Sequence, residues 1–217
     1  TLPLFENPGS RWRYGWSADV LASIIEIVSQ RPLDEFLQQR IFDPLQMTQT
    51  HYRYADPKPE ELATVYTQDE GGELIVSHPD SDVNYPEGGS GLVSTAEDYM
   101  RFALMLYNSG EYRGARLLKK ETIDHMTELH VPSGVLASEG IEGLGWGLGM
   151  QVVADAEKSL LGDADGDYGW SGYFGTTFWV SPATGMVGVV LSQNEPGPYS
   201  GQPIGVYVVP NLALMGL

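Results

Sequence analysis

The stretch Tyr168-Gly169-Trp170-Ser171-Gly172-Tyr173-Phe174-Gly175-Thr176-Thr177, running into Phe178-Trp179-Val180, is where the period of the chain changes. Upstream, apolar residues recur three and four apart. Here they stand among glycines, aromatics and β-branched residues, the composition of pleated strand. Glycine weakens a strand unless backbone has to come close to something, so Gly169, Gly172 and Gly175 argue against a simple aromatic core strand. The pattern predicts strands over 144–153, 172–180 and 186–193, with Ser181-Pro182-Ala183-Thr184-Gly185 as a hairpin connection between the last two.

Outward from that stretch the chain reads as helices. Ser17 is expected to cap a helix whose Val20, Leu21, Ile24, Ile25 and Val28 share one face. Pro32 ends it and opens a second helix, with Leu33, Phe36, Leu37 and Ile41 inward and a stop before Pro44. Residues 50–87 carry a weak pattern, broken by Pro57, Pro59, Gly71-Gly72, Pro79 and Pro86, with a short strand at 73–77. So long an excursion is expected to pack over something or to wall a cleft. Ser94-Thr95-Ala96-Glu97 reads as a capping box before a helix burying Tyr99, Phe102, Ala103 and Leu106, and Gly110 suits that helix's C-terminal cap. A helix over 120–129 and a short closing helix near 206–214 are also expected. Helices first and antiparallel strands last imply an α+β fold. Its mostly helical part is placed at 1–135, and its strands and closing helix at 136–217.

Composition narrows the function classes. The chain has 217 residues, 42% of them hydrophobic and 11% aromatic, enough for a globular core. Its net charge of −17 repels phosphate backbones and anionic headgroups, so neither nucleic acid nor membrane is an expected partner. There is no cysteine, which removes disulfides, thiolate metal sites and a thiol nucleophile. No signal peptide or apolar run of bilayer length is visible, which leans toward a cytoplasmic reading without fixing the compartment. The first residue is Thr1 rather than methionine, and a processed or truncated N-terminus is expected.

The chemistry concentrates in two places. Pro8-Gly9-Ser10-Arg11-Trp12-Arg13-Tyr14 leads directly into the first helix, and Trp170-Ser171-Gly172 opens the glycine-flanked strand. Between them, Gly88-Gly89-Ser90-Gly91-Leu92-Val93-Ser94-Thr95 leads into another helix. Together, and in this order, these motifs resemble the β-lactamase-like serine hydrolases: class C β-lactamases, D,D-peptidases and family VIII carboxylesterases. The resemblance runs from Pro8 to about Gln193, and it implies the β-lactamase/transpeptidase-like fold, an antiparallel sheet flanked by helices plus a helical subdomain.

By that resemblance Tyr14 is the phenol that takes the proton of a serine nucleophile, a role that needs nearby cations to lower its pKa from about 10. The amide of Tyr173 is implied as an oxyanion-hole donor. Trp170, Ser171 and Gly172 occupy the place of the β-lactamase Lys-Thr-Gly, and Trp170 replaces a cation that attracts the substrate carboxylate. An indole offers an apolar wall instead, suited to a neutral ester. Trp16 stands where β-lactamases and D,D-peptidases usually carry Asn or Ser, which also tilts toward the esterase branch.

The family's Ser-x-x-Lys is missing, because none of Lys58, Lys119, Lys120 and Lys158 has a serine three residues earlier. The chain is therefore expected to be the C-terminal part of a carboxylesterase that works through an acyl-enzyme on small-molecule esters. Its nucleophile is expected from an N-terminal segment, which also adds strands to the sheet, and the 217 residues alone are expected to be inactive. Alternatives are a β-lactamase, a D-aminopeptidase or D,D-peptidase-like amidohydrolase, or an inactive fragment or binding module.

No cofactor or metal is expected. Asp163, Asp165 and Asp167 have the spacing of the first EF-hand ligands, but Tyr168 and Phe174 stand where that loop needs Gly and Glu. His51, His78, His125 and His130 share no metal spacing, and the five-residue interval between the last two does not align them on a helix face. Thr1 as an N-terminal nucleophile and the Gly88 segment as a phosphate loop are weaker readings, since each lacks the flanking strand its chemistry needs.

Overall fold

A computed structural model describes residues 7, 9, 11–52, 61–77, 84–131, 133–137, 142–159 and 164–195. Thr1, Pro8, Ser10, Lys58, His78, Asp163 and the expected closing helix near 206–214 lie outside the described residues.

The helical part begins with α1 (Ser17–Ser29) and α2 (Leu33–Leu37), which runs through a π turn (Gln38–Phe42) into α3 (Asp43–Leu45). Short paired strands follow: β1 (His51–Tyr52), β2 (Tyr66–Gln68), β3 (Leu74–Val76) and β4 (Leu92–Val93). Then come α4 (Ala96–Tyr107), the small hairpin β5 (Glu111–Tyr112) and β6 (Ala115–Arg116), α5 (Lys120–Thr127) and α6 (Ser133–Ala137). The chain closes its described part with β7 (Leu144–Trp146), β8 (Gln151–Val153), β9 (Tyr168–Ser171), β10 (Thr177–Ser181) and β11 (Met186–Val190). These last five form one antiparallel meander in the order β11-β10-β9-β8-β7. The architecture is α+β.

Several elements differ from the sequence reading. The expected strand over 144–153 is a hairpin, because Gly147 donates to Met150 O at 2.9 Å and Gly149 takes a left-handed φ of 82°. The expected strand over 172–180 starts late: β9 already ends at Ser171, residues 172–176 form a tight turn, and β10 begins only at Thr177. The second helix does not stop before Pro44. The π turn shifts the hydrogen-bond register, so that Asp43 N–H reaches Gln38 O. That widening carries the helix past a proline whose ring would clash with the preceding turn. Ser17 is the first helical residue of α1 rather than its cap, and Trp16 stands in the cap position without a side-chain bond. Thr95 caps α4 by accepting from Asp98 N–H at 3.2 Å, while Glu97 reaches forward to Arg101 at 2.7 Å instead of closing a capping box.

The main core lies between α4 and the meander. Ala103, Met105 and Leu106 of α4 pack with Val152, Tyr168, Phe178 and Val180, all buried. Buried Asp98 ties this helix to the chain before β1, accepting from Gln49 N–H at 2.7 Å and Thr50 Oγ1 at 3.0 Å. A carboxylate out of water needs such donors to offset its desolvation.

Helix α1 departs most from expectation. Of its expected apolar face only Ile25 is even half-buried; Val20, Leu21, Ile24 and Val28 are all more than half exposed, and so is Ile27, while Ala22 is the buried apolar residue of the helix. The helix is held by its opposite side. Asp19 accepts from Gly88 N–H at 3.0 Å and Gly89 N–H at 3.2 Å. A Cβ on Gly88 would sit 2.1 Å from the Ala18 carbonyl oxygen, so only glycine permits this approach. The glycine-rich lead-in to α4 thus serves as a clamp on α1.

The irregular excursion contains two unexpected strands, β1 and β2. β2 pairs with β3 and also bridges the chain after β11, with Tyr66 N–H donating to Gln193 O at 2.8 Å and Glu195 N–H to Tyr66 O at 2.7 Å. Asn194 N–H in turn donates to Phe174 O at 3.0 Å, which places this hairpin beside the turn that follows β9.

Candidate active site

The site is assembled from the extended run before α1 and the ends of β7 and β9. Alternate residues of an extended chain face the same way, and Trp12 and Tyr14 both pack on Trp146, at 5.4 and 6.3 Å between ring centroids. Trp146 meets Trp170 edge to face at 4.5 Å and 77°. Tyr14 closes the cluster against Trp170 at 5.5 Å. Each such aromatic pair contributes about 0.5–1.5 kcal/mol beyond area burial. The pairs therefore hold Tyr14 in place while its side chain stays 66% exposed.

Ser171 and Gly172 continue from Trp170 into the turn. Ser171 Oγ donates to Thr177 Oγ1 at 3.0 Å, across the β9–β10 register. Gly172 N–H donates to Thr176 O at 2.7 Å and Gly175 N–H to Gly172 O at 3.0 Å. The Tyr173 amide between them meets no acceptor among the described residues, and its ring packs on Phe174 at 5.4 Å. The turn thus leaves the Tyr173 N–H, like that of Phe174, without an acceptor among the described residues, with an exposed phenol beside it.

The two sequence motifs therefore meet: Tyr14 touches Trp170, and Trp170 leads through Ser171 and Gly172 to Tyr173. Trp146 was missed in the sequence reading, where it was one more aromatic in an expected strand; its partner Trp12 belongs to the tyrosine motif. A surface depression lined by Gln38, Phe42, Asp43, Gln46, Met47 and Arg101 shares no residue with this constellation. In the acidic loop, Asp165 accepts from Ala156 N–H at 2.8 Å and Asp167 is buried, so these two carboxylates serve the loop's own packing. His125, Glu128 and His130 do come together on the surface, in spite of their spacing.

Comparison with known proteins settles the family. The Beta-lactamase family profile matches residues 1–205. The chain belongs to the β-lactamase family. It is 32% identical over 208 residues to Protein Rv1367c of Mycobacterium tuberculosis, covering 90% of this chain and 52% of that protein. It is 27% identical to Lovastatin esterase of Penicillium rubens, covering 87% and 52%. With Esterase EstB of Burkholderia gladioli it shares 25% identity, covering 93% and 54%. Among solved structures, EstCE1, a hydrolase with promiscuous acyltransferase activity, superposes with a TM-score of 0.80 at 25% identity, covering 96% of this chain and 57% of that one. Simvastatin Synthase (LovD) from Aspergillus terreus has the same fold, with a TM-score of 0.77 at 22% identity, covering 90% and 53%. The chain spans about half the length of the curated relatives it matches. No helix among the described residues is long and apolar enough to cross a membrane.

Proposed function

We propose that this chain supplies the tyrosine, the acyl-binding wall and one oxyanion donor of a serine carboxylesterase acting on neutral esters. The observation that carries the reading is the contact of Tyr14 with Trp170, 5.5 Å between ring centroids, near the end of the central strand β9. In the mechanism, a serine from a Ser-x-x-Lys segment attacks the ester carbonyl. Its proton passes to the lysine and Tyr14 pair, and the alkoxide is expelled after taking a proton back. Water then hydrolyses the acyl-serine by the reverse relay. The Tyr173 N–H binds the oxyanion, and a missing donor of this kind typically costs about 10²–10³ in rate. Trp170, with Trp146 behind it, lines the acyl or alcohol pocket, where a cation would instead draw an anionic substrate. The esterase names of two relatives support the same choice.

No Ser-x-x-Lys occurs in these 217 residues, so the nucleophile comes from another segment. The exposed apolar face of α1, the helix that follows Tyr14 in the chain, supports a docking place for that segment. Leu21 and Ile24 are 57% and 51% exposed, and such a face is normally covered in a folded enzyme. The chain alone is then inactive, since removing the nucleophile costs on the order of 10⁶ in rate.

The test is to assay the chain alone, and then joined to or mixed with a family segment carrying Ser-x-x-Lys, on a neutral chromogenic ester and on a chromogenic cephalosporin. Ester turnover only in the joined form is expected. Preference for the cephalosporin would overturn the assignment to esters, and turnover by the chain alone would overturn the missing nucleophile.

A further inference from the structure

Where α5 ends, three ligand-bearing side chains converge outside the site above. His125 lies in the last turn of the helix, Glu128 is its C-terminal cap residue, and His130 follows two residues later. Because the helix stops at Thr127, the chain turns back and the two imidazoles meet edge to face, 4.7 Å apart at 86°. His125 Nδ1 lies 2.8 Å from Glu128 Oε2. One ligand atom from each of the three residues lies within 4.8 Å of the others, and all three side chains are exposed.

The tautomer of one ring follows from its neighbour. His130 Nε2 stands 2.8 Å from the His125 carbonyl oxygen, which can only accept, so in the neutral ring Nε2 carries the proton and Nδ1 the lone pair. A ring nitrogen held on a backbone carbonyl in this way is the usual support of a ligating histidine. Two imidazoles and one carboxylate form a donor set for zinc with an open fourth position, whereas calcium and magnesium prefer all-oxygen shells. Around a tetrahedral ion with metal–ligand bonds of about 2.0–2.1 Å, two ligand atoms stand about 3.3–3.4 Å apart. Exposed side chains reach that spacing by rotamer shifts that close about 1.5 Å or less. The net charge of −17 further enriches divalent cations at the surface.

We propose that His125, Glu128 and His130 form a surface binding site for a divalent first-row transition ion, with zinc as the ion. The site adjoins the aromatic wall through the backbone. His130 N–H and Val131 N–H both donate to Trp146 O, at 2.8 and 3.0 Å, and the Trp146 ring packs on Trp170. An ion held by His130 therefore restrains the segment that carries Trp146.

The experiment is calorimetric titration of the tag-free full chain with zinc chloride, with tryptophan emission followed in parallel. One equivalent of zinc, a change in emission, loss of uptake in the H125A/H130A double variant and about tenfold or greater weakening in Glu128→Gln are expected. The three side chains are exposed, so the variants keep the parent's far-UV circular dichroism, and lost uptake then means lost ligands. Absence of saturable uptake by the parent chain overturns the site. Uptake of equal stoichiometry and affinity in the double variant overturns it equally, because the ion would then rest on other residues.

Discussion

Tyr14 and Trp170, near opposite ends of the described chain, lie with their rings 5.5 Å apart and inclined by 40°. The contact joins the extended run before α1 to the strand β9 that leads into the turn at Tyr173. In an esterase completed by Ser-x-x-Lys, Tyr14→Phe keeps this packing and removes the proton acceptor, so kcat should fall about 10²–10⁴-fold with KM little changed. Trp170→Lys exchanges the indole for a slimmer, flexible cation, and should shift the ratio of kcat/KM values from a neutral ester toward an anionic β-lactam. Steady-state assays on both substrates check the pair. An unchanged kcat in Tyr14→Phe would remove the tyrosine from the proton relay.

The exposed side of α1 makes a separate prediction. Leu21→Glu and Ile24→Glu replace side chains that are already more than half in water, so the melting behaviour of the chain alone should change within about 0.5 kcal/mol. The same substitutions should abolish activity on recombination with a Ser-x-x-Lys segment, because they bury an unpaired charge in that interface. Thermal denaturation together with a recombination assay separates the two effects. If both are severe, the face is part of the chain's own core.

Strand β9 tests the role of glycine in the sheet. A Cβ on Gly169 would lie 2.1 Å from the Phe178 carbonyl oxygen, a main-chain atom that cannot swing away. Gly169→Ala should therefore destabilise by about 1–3 kcal/mol, the usual cost of overpacking. Denaturant titration measures it. An unchanged midpoint would show that β9 and β10 are free to separate.

Alkaline pH provides a fourth test. Burial raises the Tyr168 phenol from its ordinary value near 10 to about 12. The folded state holds the proton more tightly than the unfolded chain does, so the contribution of this group is intact below pH 10 and is lost as pH rises toward 12. Half-buried Tyr99 is raised by the same cause and adds in the same direction. Unfolding should set in between these values, and Tyr168→Phe should weaken that dependence. Equal alkaline loss in the variant would assign it to other groups.

Much of this architecture is readable along the chain, because helix periodicity, caps and turn residues are local properties. The helix over 96–107 with its buried Ala103 and Leu106, the hairpin at 182–185, and the three motifs in family order follow from side chains a few residues apart. The division of 144–153 into two paired strands and the turn at 172–176 ahead of β10 did not follow, because apolar residues continue through a tight turn and only hydrogen-bond geometry interrupts the strand. Pro44 misled for a related reason: a π turn accommodates a proline, and nothing in the residue pattern reveals that register shift.

The amphipathic pattern of α1 correctly announced a helix, yet it could not say whether Val20, Leu21, Ile24 and Val28 face this chain's own core. Periodicity marks an apolar face, while what covers that face depends on which segments are present to pack on it. Membership of the β-lactamase family, the absence of Ser-x-x-Lys and the candidate roles of Tyr14 and Trp170 rest on residue identity and order. The convergence of Trp12, Tyr14, Trp146 and Trp170, and the meeting of His125 with His130 beyond a helix end, are contacts across turns and strands. They arise when the backbone folds back on itself, and no spacing along the chain encodes them.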